Sequence, residues 1–246
     1  LFMMFNQAVI LAGGRGERLK PLTDNLPKPM APINGVPFLD YLLFSLIEAG
    51  IKKVLILLGY KGKVIYERYK HLESIEVKFS FGEESDETGK RVLDAYNKLD
   101  DHFLLLYGDN YWPIDLENMK KNYQDLGCAV TTTIFTNLKG TGEYGKENNV
   151  LVGSNKKIIL YDKSRKRAGL NGLDIGYFMV SKDILNEKNK ENLSFEQAIL
   201  PDLIGKDQLA GFLTHEQYYF ITNQESLKNF ETVAARNNIK FIAENR

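Results

Sequence analysis

The chain has 246 residues, 43% of them hydrophobic, enough for a sizeable core in one or two domains, which excludes a disordered or fibrous chain. Lys plus Arg and Asp plus Glu each number 32, so no whole-molecule field draws it to nucleic acid or to an anionic membrane, and a bound anion must be met by a local site. The single cysteine, Cys128, permits no intramolecular disulfide and no thiolate zinc cluster, and points to a reducing, cytoplasmic compartment.

The apolar opening LFMMFNQAVILA has no basic segment before it and is followed by Gly-Gly-Arg instead of a small-residue cleavage site, so export is not expected and residues 1–5 carry no functional weight. No later stretch approaches the ~18 uncharged apolar residues of a membrane span. Short apolar runs at 7–12, 53–58, 75–80 and 102–107 suit strands buried on both faces. Between them, helical spacing predicts helices at 38–49, with Phe38, Tyr41, Leu42, Ser45, Leu46 and Ala49 on one face, then at 61–70 and 88–99. That alternation implies a parallel sheet with right-handed crossovers. Beyond Asp109 the pattern becomes β-rich, at 129–135, 149–152, 156–161 and 172–180, and reads as an antiparallel addition to the same sheet. Ser194 is placed to cap a helix running to Leu203 that Pro201 should disturb near its end, and residues 224–236 form a last helix with Leu227, Phe230, Ala234 and Val233 turned inward. With no repeat and no linker, one domain over 1–246 is expected.

The chemistry concentrates in LAGGRGERLKPLTDNLPKPM, residues 11–30, directly after the first strand. Gly13, Gly14 and Gly16 let the backbone turn sharply and bring its N–H groups close to a ligand. Arg15, Arg18, Lys20 and Lys28 place four cations within 14 residues, so a polyanion is the natural partner. The dinucleotide fingerprint fails because position 19 is Leu, and the P-loop fails because Gly89-Lys90 is followed by Arg91 with no Gly at 84. A second site lies in LLLYGDN, where a buried strand ends in Gly108 and Asp109. Ligands gather at that edge of an open α/β sheet, and a lone carboxylate there is placed to hold Mg²⁺ against phosphate oxygens.

These residues resemble the sugar-1-phosphate nucleotidylyltransferases, or nucleotide-sugar pyrophosphorylases, whose signature is L-A-G-G-x-G-T-R-L-x-P-L-T followed by K-P-M or K-P-L; residues 11–30 match it with Glu17 in place of Thr. The resemblance runs from Gln7 through at least Val180. It implies an α/β, Rossmann-like three-layer sandwich with a mixed, mostly parallel sheet, nucleotide-binding over about 7–110 and sugar-phosphate-binding over about 111–246. It also implies a reaction: attack of a sugar 1-phosphate on the α-phosphate of a nucleoside triphosphate, with Mg²⁺, giving nucleotide-sugar and pyrophosphate. By the same resemblance, Leu11, Ala12, Gly13 and Gly14 meet the nucleotide through their backbone, and the cation of Arg15 and the close backbone approach allowed by Gly108 add those two residues to the nucleotide site. Arg18 clamps the departing phosphates, Lys28 bridges the α-phosphate and the incoming sugar phosphate, and Asp109 ligates Mg²⁺. Tyr144-Gly145 matches a sugar-contact segment, Asp162-Lys163 a Glu-Lys pair, and Asp174 an Asn that holds sugar hydroxyls.

Two departures from the family stand out. The base-contacting loop reads EESDETGKRVLDA, which keeps Gly89 and has acids at Glu83 and Glu84 able to accept from guanine or from cytosine N4; its Thr-Gly-Lys-Arg-Val portion is similar to the cytidylyltransferase branch. Phe220 stands where the family carries a second metal-binding Asp, a variation that favours the heptose or mannose 1-phosphate guanylyltransferase-like branch. The rival readings are cytidylyl, thymidylyl or uridylyl transfer, or a non-catalytic nucleotide-sugar-binding regulator. The partners expected are thus a nucleoside triphosphate and a sugar 1-phosphate, with no nucleic acid and no membrane, and a homo-oligomer is compatible with a sequence that marks no interface. The basic run 163–167 lacks interleaved aromatics, and His71, His102 and His215 lack metal-ligand spacing. Trp112 and Cys128 read foremost as packing residues.

Overall fold

A computed structural model describes residues 3–186 and 191–242; the first two residues of the apolar opening lie outside the described residues. In chain order the strands are β1 (Gln7–Ala12), β2 (Pro32–Ile33), β3 (Val36–Pro37), β4 (Lys53–Leu58), β5 (Glu76–Phe81), β6 (His102–Tyr107), β7 (Asn110–Tyr111), β8 (Val130–Phe135), β9 (Val150–Val152), β10 (Ile158–Tyr161), β11 (Leu173–Ser181), β12 (Leu209–Thr214) and β13 (Tyr219–Phe220). The α-helices are α1 (Phe38–Glu48), α2 (Gly62–Tyr69), α3 (Thr88–Asp94), α4 (Leu116–Leu126), α5 (Leu200–Gly205) and α6 (Gln224–Arg236).

Seven strands form one sheet in the order β12-β8-β11-β6-β1-β4-β5. All neighbours pair in parallel except β11, which runs against both β6 and β8. Every residue of β1 is buried, as a central strand covered on both faces requires. Ala8, Ile10 and Ala12 join the core layer that holds α1 and α6, while Val9 and Leu11 face the layer that holds α3 and α5. The register sets Ala12 beside Leu58 and Leu11 beside Tyr107, so three parallel strands end level and open one crevice at their carboxyl ends.

Local chemistry sets the helix ends. Gly50, at φ +87°, follows α1 and stops it. Asn223 and Ser226 form a capping box that starts α6, whose buried face is Leu227, Phe230 and Ala234, with Val233 half-buried. Phe230 packs against the rings of Phe38, Tyr41, Tyr111 and Tyr219 at centroid distances of 5.2, 5.6, 5.2 and 5.9 Å.

The later half adds to the same sheet by the expected antiparallel pairings at β6–β11 and β11–β8, but departs from them at β12, which pairs in parallel with β8, and at β9 and β10. Strands β8 and β12 run with β6, and β9 with β10 forms a separate two-stranded ribbon, because these short strands are joined by a tight turn at Gly153–Lys156 and pair locally. Sequence patterning missed β12, a short strand with a central Gly211, and α4, which shows only Leu116, Met119 and Tyr123 to the core. The helix expected from Ser194 divides into a π-helical turn (Phe195–Ile199), capped by Ser194, and α5. Pro201 lies in the first turn of α5, where its missing N–H costs nothing, so it marks a start and not an end. Trp112 and Cys128 are both buried, at 1% and 3% exposure, as packing residues would be.

Candidate active site

Where β1, β4, β5 and β6 end, the loops enclose a cleft of about 440 Å³. One wall is the glycine loop after β1. Gly14 is open to the cleft, and Gly16, at φ +64°, is held by the Thr23 hydroxyl, which donates to its carbonyl at 3.0 Å. Single-turn helices at Glu17–Leu19 and Lys28–Met30 then present Arg18 and Lys28 on the same side of the loop. Across from them, the Gly108 N–H donates to the Leu11 carbonyl at 3.0 Å, and a Cβ at 108 would meet that oxygen at 3.0 Å and the Pro29 ring at 3.1 Å. A side chain at 108 would crowd the end of β1, so glycine suits a β6 that ends this close to it, and Asp109 follows directly.

Lys28 is 12% exposed, and its ammonium lies 2.6 Å from Oδ2 of Asp109. Arg18 donates to the Tyr144 hydroxyl at 3.0 Å and to Oε1 of Glu143 at 3.3 Å; the same oxygen accepts from the Thr222 hydroxyl at 2.7 Å. The Arg165 guanidinium covers the Tyr144 ring at 3.5 Å from its centroid. Thus Arg18, Lys28 and Asp109, 91 residues apart at the extremes, share one cleft with Leu11, Ala12, Gly13, Gly14 and Gly108.

Other sequence-identified residues are placed differently. Arg15 is exposed and pairs with Glu84 at 2.7 Å across the cleft mouth. Glu84 lines the cleft with Ser85, Asp86, Glu87 and Thr88, whereas Glu83 offers its backbone carbonyl to Arg91 at 2.7 Å. Gly89 faces away from the cleft, since a Cβ there would strike Leu193 at 2.3 Å. This contact belongs to a staple between α3 and residues 192–196. The Lys90 N–H donates to the Leu193 carbonyl at 3.0 Å, and the Phe195 N–H to the Thr88 hydroxyl at 2.8 Å. Thr88 in turn donates to Oε2 of Glu196 at 3.1 Å.

A second, more open cleft of about 480 Å³ is lined by Asp162, Lys163, Glu196 and Gln197. Asp162 sits at a turn after β10 and accepts from the Ser164 hydroxyl at 2.6 Å and from the N–H groups of Ser164, Lys166 and Arg167 at 2.9–3.0 Å. The Ser164 hydroxyl foremost, with these amides, draws its carboxyl down to about 2. Gly145, at φ +62°, turns the chain after Tyr144, with its carbonyl held by Asn137 at 2.9 Å. Asp174, on β11, accepts from the Thr132 hydroxyl at 2.7 Å and the Gly176 N–H at 2.9 Å, and burial pushes its carboxyl up to about 6. Tyr107 donates to Glu196 nearby. Sequence reasoning passed over Glu143, Tyr107, Thr222 and Arg91, whose only signal was the Lys-Arg-Val triplet.

Among the described residues no group of three or more His, Cys, Asp or Glu converges on a metal position. Phe220 pairs with Asn110 in the β7–β13 ribbon, and the Ile221 N–H donates to the Asp109 carbonyl at 3.1 Å, so a phenyl group stands on the strand beside Asp109. One carboxylate is still a fitting donor set for Mg²⁺ that arrives on a triphosphate, because that ion keeps several waters and takes the rest of its ligands from phosphate.

The fold is shared with solved structures. HddC from Yersinia pseudotuberculosis superposes with a TM-score of 0.79 at 24% identity, over 94% of this chain and 99% of that one. A putative glucose-1-phosphate thymidylyltransferase from Bacillus anthracis superposes with 0.81 at 16% identity, over 96% and 97%. Residues 7–220 match the nucleotidyl transferase family model, and the chain belongs to that family: it is a nucleotidyltransferase. It is 33% identical to the D-glycero-α-D-manno-heptose 1-phosphate guanylyltransferase of Campylobacter jejuni, over 78% of this chain and 83% of that protein. It is 30% identical to the enzyme of the same name from Aneurinibacillus thermoaerophilus, over 87% and 91%. Among the described residues no helix is long and apolar enough to cross a membrane.

Proposed function

We propose that this chain, acting as one domain in the cytoplasm, transfers a guanylyl group from GTP to a heptose or mannose 1-phosphate. The observation that carries this reading is the meeting of Lys28, Arg18 and Asp109 over the glycine loop in one cleft, in a chain similar to two heptose 1-phosphate guanylyltransferases. A sugar-phosphate oxygen attacks the α-phosphorus, the bond from that phosphorus to the α,β-bridging oxygen breaks, and pyrophosphate leaves with the electron pair. The sugar phosphate is itself the nucleophile, so the protein's work is to position two anions and neutralise their repulsion.

In this reading the N–H groups of the loop at Gly13 and Gly14 receive the triphosphate, and Arg18 holds the departing phosphates. Lys28, half-buried and directed by Asp109, lies between the α-phosphate and the incoming phosphate. Asp109 is the protein's ligand for Mg²⁺, which supplies charge neutralisation to the triphosphate when bound. Tyr144, Gly145, Lys163 and Asp174 receive the sugar phosphate, while Asp162 shapes the turn that presents Lys163.

The second reading, cytidylyl transfer, draws on the Thr88-Gly89-Lys90-Arg91-Val92 segment and on 29% identity over 91% of this chain to a probable glucose-1-phosphate cytidylyltransferase of Bacillus subtilis. The deciding assay is pyrophosphate release with Mg²⁺ for GTP, CTP, UTP, dTTP and ATP against heptose, mannose and glucose 1-phosphates. Release with GTP, dependent on a heptose or mannose 1-phosphate, is expected. Release with CTP alone would establish the second reading, and silence with retained nucleotide binding would show a binding protein.

A further inference from the structure

Arg91 is 6% exposed and lies beneath the glycine loop at the inner wall of the cleft. Its guanidinium donates to the Leu58 carbonyl at 2.8 Å, to the Glu83 carbonyl at 2.7 Å and to the Gly13 carbonyl at 3.4 Å. Those oxygens sit at the end of β4, just past β5 and just past β1, the carboxyl ends of three adjacent parallel strands. A planar fork with five donors can serve three carbonyls at once, which an ammonium on a flexible stem cannot do in fixed geometry.

The loop is cut to fit this group. Gly13 has no positive φ, so its backbone would accept any residue, yet a Cβ there would lie 2.3 Å from the guanidinium carbon and 2.6 Å from two of its nitrogens. At Gly59, after β4, a Cβ would meet the same guanidinium at 2.6 Å and the Gly13 carbonyl oxygen at 2.6 Å. Of the two glycines, Gly13 is the one whose lack of a side chain answers to Arg91 alone among its nearest neighbours. All the groups hydrogen-bonded to Arg91 are uncharged; Asp86, Asp94 and Glu87 attract it at longer range, and burial draws its pKa below the ordinary value. Among the described residues no carboxylate comes within ion-pair distance of the guanidinium, and its hydrogen bonds all go to backbone carbonyls.

We infer that Arg91 is a positioning residue: it locks the ends of β1, β4 and β5 into one register, so that the N–H groups of the Gly13-Gly14 loop stand ready for the triphosphate before it arrives. The functional half of this inference rests on the reading of the cleft as the nucleotide site. The structural half does not.

The test combines a thermal-stability cycle on nucleotide-free protein with GTP titration by calorimetry in EDTA, using Arg91→Ala, Arg91→Lys, Gly13→Ala and the Arg91→Ala/Gly13→Ala double variant. Gly13→Ala should lower Tm in the parent and by less than half as much in the Arg91→Ala background, where the obstructing group is gone. GTP affinity should fall about 100-fold in Arg91→Ala and about tenfold in Arg91→Lys, as loss of charge-assisted hydrogen bonds predicts. Millimolar free guanidinium should recover part of the Arg91→Ala loss and none of the Gly13→Ala loss. Equal Tm costs of Gly13→Ala in both backgrounds, or parental GTP affinity in Arg91→Lys, would overturn the inference. If Arg91→Ala does not fold, the Arg91→Lys titration decides. If the parent itself binds no GTP, the guanylyl reading falls while the thermal cycle still tests the loop lock.

Discussion

Replacing Asp174 by Asn should make the protein more stable at pH 8 and leave it unchanged at pH 4. The carboxyl is held at about 6 against an ordinary 3.8, with burial the main cause and Glu196 adding repulsion. Between those values the unfolded chain has released the proton that the folded chain retains. Stability is therefore fullest below pH ~4, falls as the pH rises through the window, and carries the whole penalty above ~6. At ~1.36 kcal/mol per pH unit that penalty is about 3 kcal/mol. Asn keeps the amide-oxygen acceptor for the Thr132 hydroxyl and the Gly176 N–H, and places an NH₂ where the second carboxylate oxygen was. A gain of 3 kcal/mol in a chain of this size corresponds to about 6–12 °C in Tm. Scanning calorimetry of both proteins from pH 4 to 8 reads the difference directly. A gain of equal size at pH 4, or none at pH 8, would refute the argument that a buried anion is being carried.

Lys28→Met should lower kcat/KM by about 10³-fold through loss of a preorganised cation at the reacting phosphates, with Tm nearly unchanged; a loss under tenfold in steady-state pyrophosphate release would remove Lys28 from the reaction. Asp109→Asn should abolish Mg²⁺-dependent turnover while circular dichroism stays that of the parent, and retained turnover would mean that another group meets the metal. Phe220→Asp should lower the Mg²⁺ concentration for half-maximal rate about tenfold by adding a carboxylate beside Asp109, and an unchanged metal titration would show that this strand position does not reach the ion. Phe230→Ala, which vacates the contact point of four aromatic rings, should cost about 3–5 kcal/mol in urea unfolding; a cost under 1 kcal/mol would contradict the packing described.

The parallel half of the sheet was legible because buried parallel strands read as unbroken apolar runs, and β1, β4 and β6 fell on the expected residues. Helix α6 was legible to the residue from its periodic apolar face. The direction of β8 and β12 was not, since an apolar run carries no sign of which way its neighbour points. Within the cleft, the glycine loop, Lys28 and Asp109 announced themselves by type and position. Arg91 did not: a buried arginine satisfied by carbonyls looks, in a linear sequence, like one more exposed cation. Asp162 shows the converse, a carboxylate whose oxygens serve its own turn, where the resemblance placed it on the sugar.

The staple between α3 and residues 192–196 ties together what the two clefts do separately. Thr88 borders the first cleft and Glu196 the second, and they touch through a single hydrogen bond. A change of side chain at Thr88 would therefore remove a donor from the Glu196 carboxylate in the second cleft as well as alter the wall of the first. The two clefts are thus not independent surfaces: their walls share a connection one side chain long.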